Sequence, residues 1–198
     1  MNAHSHFFFM MIMPSLCCFA EITFHKDISV SLDRFRQMFV QTSNFYERYL
    51  ESLDEHDISV SQWSKNRDLL SRKISFKHKM SSIPGIPSYV QTVKEQQYSY
   101  IPGKEIIIEE KSAFTGAPLV DAFVVETSWT IRPQLTGVKV TISSKIEFTE
   151  DSKLPSFVQK QIERKSFKEI EKSMSAWGSI VDTDVLQIQS AHNDFLLI

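Results

Sequence analysis

Residues 116–177 constrain the fold more tightly than any other part of the chain. They read as a tight turn, two long alternating strands and one long amphipathic helix. Over residues 138–148, Val138, Val140, Ile142, Ile146 and Phe148 share one face, on which only Ser144 is polar. Lys139, Thr141, Ser143, Lys145 and Glu147 occupy the other. A period of two predicts a strand with one wet face and one face against something apolar. The preceding strand repeats the pattern, Phe123, Val125, Trp129 and Ile131 against Glu126, Ser128 and Thr130, with residues 134–137 as the turn. Leu154, Val158, Ile162, Phe167, Ile170, Met174 and Trp177 then fall on one stripe at helical spacing, and Pro155 suits a first helical turn. A one-sided antiparallel sheet followed by a one-sided helix packs economically when the sheet curls around the helix. Such a curl often leaves a cavity between the two.

The chain has 198 residues, which suits one domain. A chain of this size buries roughly 70% of its extended-chain surface, enough for a real core. The domain is expected over residues 19–177, after an apolar segment at 1–18 that reads as irregular and before an irregular tail at 178–198. The net charge of −2 exerts no pull toward polyanions, so no nucleic-acid partner is expected. The two cysteines, Cys17 and Cys18, are adjacent and cannot bridge without strain, which points to a reducing compartment. Six scattered histidines show no HExxH spacing, and no metal site is expected. The sequence also lacks GxSxG, P-loop and GxGxxG patterns. Glu109-Glu110 and Glu150-Asp151 read as solvated acidic pairs at strand ends. The chain is therefore read as a binding protein and not an enzyme, with no cofactor.

Taken in order, residues 1–20 form an apolar run too short to span a bilayer. Three readings fit it: a non-native start, a signal sequence, or a palmitoylated patch at Cys17 and Cys18. Residues 19–26 alternate as a strand. Ser29 or Ser31 then caps a short helix carrying Leu32, Phe35, Met38 and Phe39, and Ser43 opens a second with Phe45, Tyr49 and Leu53 on one side. Residues 58–63 suit a short edge strand. The strand at 69–79 carries Leu70, Ile74 and Phe76 on one face together with Arg72 and His78. Residues 81–89, SSIPGIPSY, cannot continue a ladder and read as a loop with an unusually apolar tip. Strands at 89–100 and 105–114 follow. The order strand, two helices, about six antiparallel strands and a long helix is the α+β helix-grip plan.

Three local patterns resemble one family. Arg72-Lys73-Ile74-Ser75-Phe76-Lys77 is similar to its basic–apolar–aromatic strand, and Pro118-x-x-Asp121-x-Phe123 to its turn into a strand ending in an aromatic, here Trp129. Lys153 through Ile162-Glu163 resembles the opening of its closing helix. The family is that of the VASt domains, sterol-binding relatives of the START-like lipid transfer fold. Where the family often has an aromatic and a glycine after the proline, this chain has Leu119 and Val120.

The resemblance implies non-covalent binding and intermembrane transfer of a sterol or similar lipid, held between sheet and closing helix. Its implied walls are Phe76, Val93, Ile106, Ile108, Phe123, Val125, Trp129, Val140, Ile142, Ile162 and Phe167, with Gln91, Ser144 and Ser166 as polar partners. Ile83, Pro84, Gly85, Ile86 and Pro87 would form a lid that touches a membrane surface. Full-length relatives usually carry a GRAM domain and often a membrane anchor, which implies a GRAM-containing or membrane-anchored partner. The implied location is cytoplasmic and peripheral at membranes, including endoplasmic reticulum contact sites. The alternative role is a ligand-gated sensor that binds a small hydrophobic molecule and recruits a protein.

Overall fold

A computed structural model describes residues 21–66, 69–79, 89–117, 119–149 and 152–195. Strand β1 (Glu21–Ile28) leads into helix α1 (Leu32–Phe35), which widens into a π-helical turn at Arg36–Val40. Of the two serines read as caps, Ser31 takes the position, its Oγ accepting from the Arg34 amide at 3.2 Å. Helix α2 (Ser43–Ser52) follows, then β2 (His56–Val60), β3 (Ser64–Asn66), β4 (Leu69–Lys79), β5 (Tyr89–Ile101), β6 (Glu105–Thr115), β7 (Phe123–Gln134) and β8 (Gly137–Phe148). Helix α3 (Ser156–Phe195) closes the chain.

Among the described residues the strands form one eight-stranded sheet in the order β1-β8-β7-β6-β5-β4-β2, with β3 beside β4. Every pairing is antiparallel. β2 lies at one edge, as its shortness predicts, and β1 at the other. The meander from β4 to β8 needs only local hairpins, and β1 closes onto β8 after the chain has travelled the full width. The β7–β8 hairpin depends on Gly137. At φ +141° a Cβ would stand 2.1 Å from the Ile28 carbonyl oxygen, so only glycine lets β1 approach the turn.

The inner face holds two apolar clusters. The larger joins Tyr98, Ile106, Ile108, Trp129, Ile131, Val138, Val140 and Ile142 to α1, α2 and the C-terminal half of α3. The smaller is built on Phe123, Val125 and Ile146, against which Ile162, Phe167 and Ile170 of α3 pack half-buried. The helix is therefore seated firmly at its second half and more loosely at its first.

That seating corrects the expected irregular tail at 178–198. α3 runs unbroken to Phe195, and Met174, Trp177, Val181 and Val185 are buried at helical spacing. Gly178 lies on the same buried face, against the Lys26 stem of β1. Lys26 Nζ also binds Asp182 at 2.8 Å, and Arg48 of α2 grips Asp184 through both guanidinium nitrogens at 3.0 and 2.6 Å. Val181→Ala is expected to lower stability by about 1–3 kcal/mol in urea titration, as a wholly buried side chain should. A true tail residue would give no change.

Candidate functional site

Where α3 stands off the sheet, a cavity of about 500 Å³ opens. Its sheet wall comes from Phe76, Thr92, Lys94, Glu110, Ser112, Phe114, Phe123, Val125, Thr127 and Trp129. Tyr46, Tyr49, Leu50 and Leu53 of α2 and its C-terminal turn close one side, and Ser166, Ile170, Ser173 and Met174 of α3 roof it. Asp54, Glu55, His78, Lys79, Lys165, Glu169 and Lys172 give the remaining wall a charged lining. Phe123 and Trp129 are six residues apart on one strand and both border the space, so it extends about 20 Å along the sheet.

The floor is polar at its middle, and the pairing register explains why. Arg72 pairs with Gln96, Gln96 with Glu110, Glu110 with Thr127 and Thr127 with Ser144, a single row across five strands. All five residues are buried. The row lies between the two apolar clusters and is bonded along most of its length. Arg72 Nε donates to Gln96 Oε1 at 2.7 Å, and its guanidinium lies over the rings of Trp63 (4.3 Å) and Tyr46 (4.9 Å). Glu110 accepts from Tyr46 Oη at 2.9 Å, from Gln96 Nε2, and from Lys94 Nζ at 2.6 Å. Ser144 and Thr127 share a hydroxyl bond at 2.9 Å. Tyr49 and Ser173 join α2 to α3 beside the row.

Burial opposes charge on both members of the Lys94–Glu110 pair, but each offsets the penalty for the other. The Glu110 carboxyl ends below its ordinary range through Lys94 and its hydrogen bonds, and the Lys94 ammonium ends above its own. Tyr46, buried beside Glu110, is pushed well up and stays a donor. At the charged end of the cavity His78 Nδ1 lies 2.7 Å from Glu55 Oε1.

Of the residues proposed from the sequence, Phe76, Phe123, Val125, Trp129 and Ser166 border this cavity. Ile106, Ile108 and Val140 are packed in the larger cluster and do not reach it. Ile142 and Ser144 line a separate depression beneath α3 at the β1 side, which Ile170 and Met174 divide from the main cavity. Ile162 and Phe167 cover the smaller cluster. Gln91 and Val93 sit on the other face of β5, whose inward positions are Val90, Thr92, Lys94, Gln96 and Tyr98. Gln91 spends its amide on the Phe76 carbonyl at 3.2 Å. The lid residues Ile83, Pro84, Gly85, Ile86 and Pro87 lie outside the described residues.

Sequence reasoning placed Glu110 at a solvated strand end, whereas it is 5% exposed in the body of β6. Its parity with Ile106 and Ile108 was the available signal. Lys94 and Thr92 carried none, because β5 is polar on both faces.

A curved antiparallel sheet gripping a long helix around an internal cavity defines the START-like class of helix-grip domains. The chain belongs to the VASt family: the model of the VASt domain, the VAD1 Analog of StAR-related lipid transfer domain, matches residues 22–169. This is a family of lipid-binding domains. Comparison with curated proteins gave no match. Among solved structures, the chain is similar to TTHA0849 from Thermus thermophilus, with a TM-score of 0.52 at 11% identity, covering 83% of this chain and 99% of that one. It also aligns with Ara h 8.0201 at a TM-score of 0.49 and 11% identity, covering 85% and 98%. At 11% identity the likeness to TTHA0849 is one of fold.

Proposed function

We propose that the chain binds one sterol or similar lipid non-covalently in this cavity and carries it between membranes. The supporting observation is the space itself, about 500 Å³ and long in one direction, within a lipid-binding family's fold. Its volume falls in the range of small-molecule sites, and its length suits a rigid, elongated body. Phe76, Phe114, Phe123, Val125 and Trp129 offer the apolar surface whose burial drives such binding.

The face for membrane contact is the end of the sheet where β4 finishes and α3 begins. Phe157 and Leu119 are 65% and 44% exposed there, and Lys153, Lys160 and Arg164 are exposed nearby on the sequence. Apolar side chains flanked by cations suit an anionic bilayer surface. Among the described residues no helix is long and apolar enough to cross a membrane.

Transfer of a fluorescent sterol between two liposome populations tests the reading directly. Acceleration is expected, and sterol bound without acceleration would move the assignment to the sensor role. Phe157→Asp combined with Leu119→Asp is expected to slow transfer about tenfold while affinity for sterol in solution stays the same. That follows from losing two apolar insertions, each worth on the order of 1 kcal/mol or more. Equal transfer by the double variant would place the docking face elsewhere.

A further inference from the structure

The depression beneath α3 at the β1 side holds about 420 Å³, and its floor is continuous with that of the main cavity. Thr127 and Trp129 of the cavity pair with Ser144 and Ile142 of the depression, and these pair in turn with Ile22 and Phe24 of β1. One sheet face therefore runs beneath both spaces. The depression lies sideways across the strands from the Trp129 end of the cavity. What divides them hangs from the helix, since Ile170 and Met174 border both. A methionine is unbranched, with three rotatable bonds, and adapts readily to what lies beside it.

The two spaces differ in chemistry. The cavity wall carries buried polar atoms with no partner: Glu55 Oε2, Thr92 Oγ1 and Trp129 Nε1, which are an acceptor, a hydroxyl and a donor. Lysines and carboxylates on that wall are equal in number, so it asks for no ion. Among the described residues the depression holds no such orphan atom. The buried Ser144 hydroxyl is spent on Thr127, and Ile22, Phe24 and Ile142 make the floor apolar. Thr23, Glu171 and Ser175 are exposed and form the outer rim. Hydrocarbon suits the depression, where each methylene withdrawn from water tightens binding about fourfold. An uncharged group that both donates and accepts suits the cavity.

We infer that the binding space has two arms and that, besides a sterol, the chain takes a neutral two-chain lipid. Its head and one chain occupy the cavity, and the second chain passes Ile170 and Met174 into the depression. The inference rests on the lipid-binding reading above and adds a second lipid class to it. Diacylglycerol and ceramide share this chemistry, whereas a sterol has a single rigid body and leaves the depression empty.

The test is native mass spectrometry after incubation with phosphatidylcholine vesicles carrying equal amounts of cholesterol, dioleoylglycerol, N-oleoyl ceramide and mono-oleoylglycerol. A dioleoylglycerol or ceramide adduct at least tenfold above that of mono-oleoylglycerol is expected, and the lipid that gives it identifies the backbone. Ile22→Trp and Ser175→Trp fill the depression from the strand and the helix sides. Ile22 belongs to neither apolar cluster, and the Ser175 hydroxyl bonds a carbonyl of its own helix, so the fold relies on neither. Both variants are expected to lower the two-chain adduct at least tenfold and to keep the cholesterol adduct. Cholesterol as the sole adduct, or mono-oleoylglycerol equal to the two-chain lipids, would overturn the second arm and leave lipid binding standing. A two-chain adduct undiminished in both variants, or a cholesterol adduct lost along with it, would overturn the placement in the depression. A phosphatidylcholine adduct in its stead would overturn the neutral head. No adduct of any kind would remove the lipid reading and this inference with it.

Discussion

Glu110→Ala is expected to cost about 3–5 kcal/mol of folding stability, the range found when one partner of a buried ion pair is removed. Both charges are shielded from water, and Glu110 is also the shared acceptor of Tyr46, Gln96 and Lys94. Truncation therefore strands an ammonium and leaves two neutral donors without their acceptor. In a chain of this length the loss corresponds to a fall in Tm on the order of 10 °C. Replacing both charges, Lys94→Met with Glu110→Leu, should cost clearly less than the single change, because no uncompensated charge remains.

The pH dependence separates this from simple loss of packing. Glu110 has its pKa lowered by folding, so its contribution is present above the unfolded value, about 4.3, and is lost as pH falls through the folded one. Lys94 is raised by folding, so its contribution is present below about 10.4 and is lost as pH rises through the folded value. Between these limits the pair contributes a plateau. In Glu110→Ala the stranded Lys94 instead releases its proton on folding, so stability should climb with pH below 10.4. Urea titrations at several pH values give both curves, and parallel profiles for wild type and variant would contradict the ion-pair account.

The parts of the fold legible in the sequence were those where one residue class filled one face. β7 and β8 alternate cleanly because one side meets α3 and the larger cluster while the other meets water. The same physics explains the misread tail. Past Trp177 the helix carries Ser179, Asp182 and Thr183 on its exposed side, residues that favour caps and turns. Burial of Val181 and Val185 and the Arg48 and Lys26 ion pairs keep it helical, and those are tertiary contacts. The polar row was less visible still. Each of five strands supplies one member, so no window of sequence contains it, and only the register of four strand pairs brings Arg72 into line with Ser144. Ser144 looked like a ligand contact when it stood alone on an apolar face. Its partner is Thr127 of the neighbouring strand, at the same parity as Val125 and Trp129.

Ser166→Trp is expected to weaken sterol binding about a hundredfold, roughly 2.7 kcal/mol, with the fold retained. Ser166 is half-buried on the face of α3 that roofs the cavity, and its hydroxyl bonds no other side chain among the described residues, so the substitution removes nothing the fold relies on. The helix is held on either side of it by other anchors, Ile162 and Phe167 toward its start and Met174, Trp177, Val181 and Val185 beyond. An indole at 166 enters existing space and meets Val125, Phe123 or the α2 tyrosines instead of displacing backbone. Overpacking penalties apply to filled cores, and here the volume is empty. Stability is therefore expected to hold or rise slightly while the ligand loses the room it needs, and the two readings move in opposite directions. Dehydroergosterol titration alongside a thermal melt measures both at once. Unchanged affinity with a wild-type melt would mean the sterol sits outside the space between α3 and the sheet, and a collapsed melt would mean that α3 tolerates no standing-off at this point.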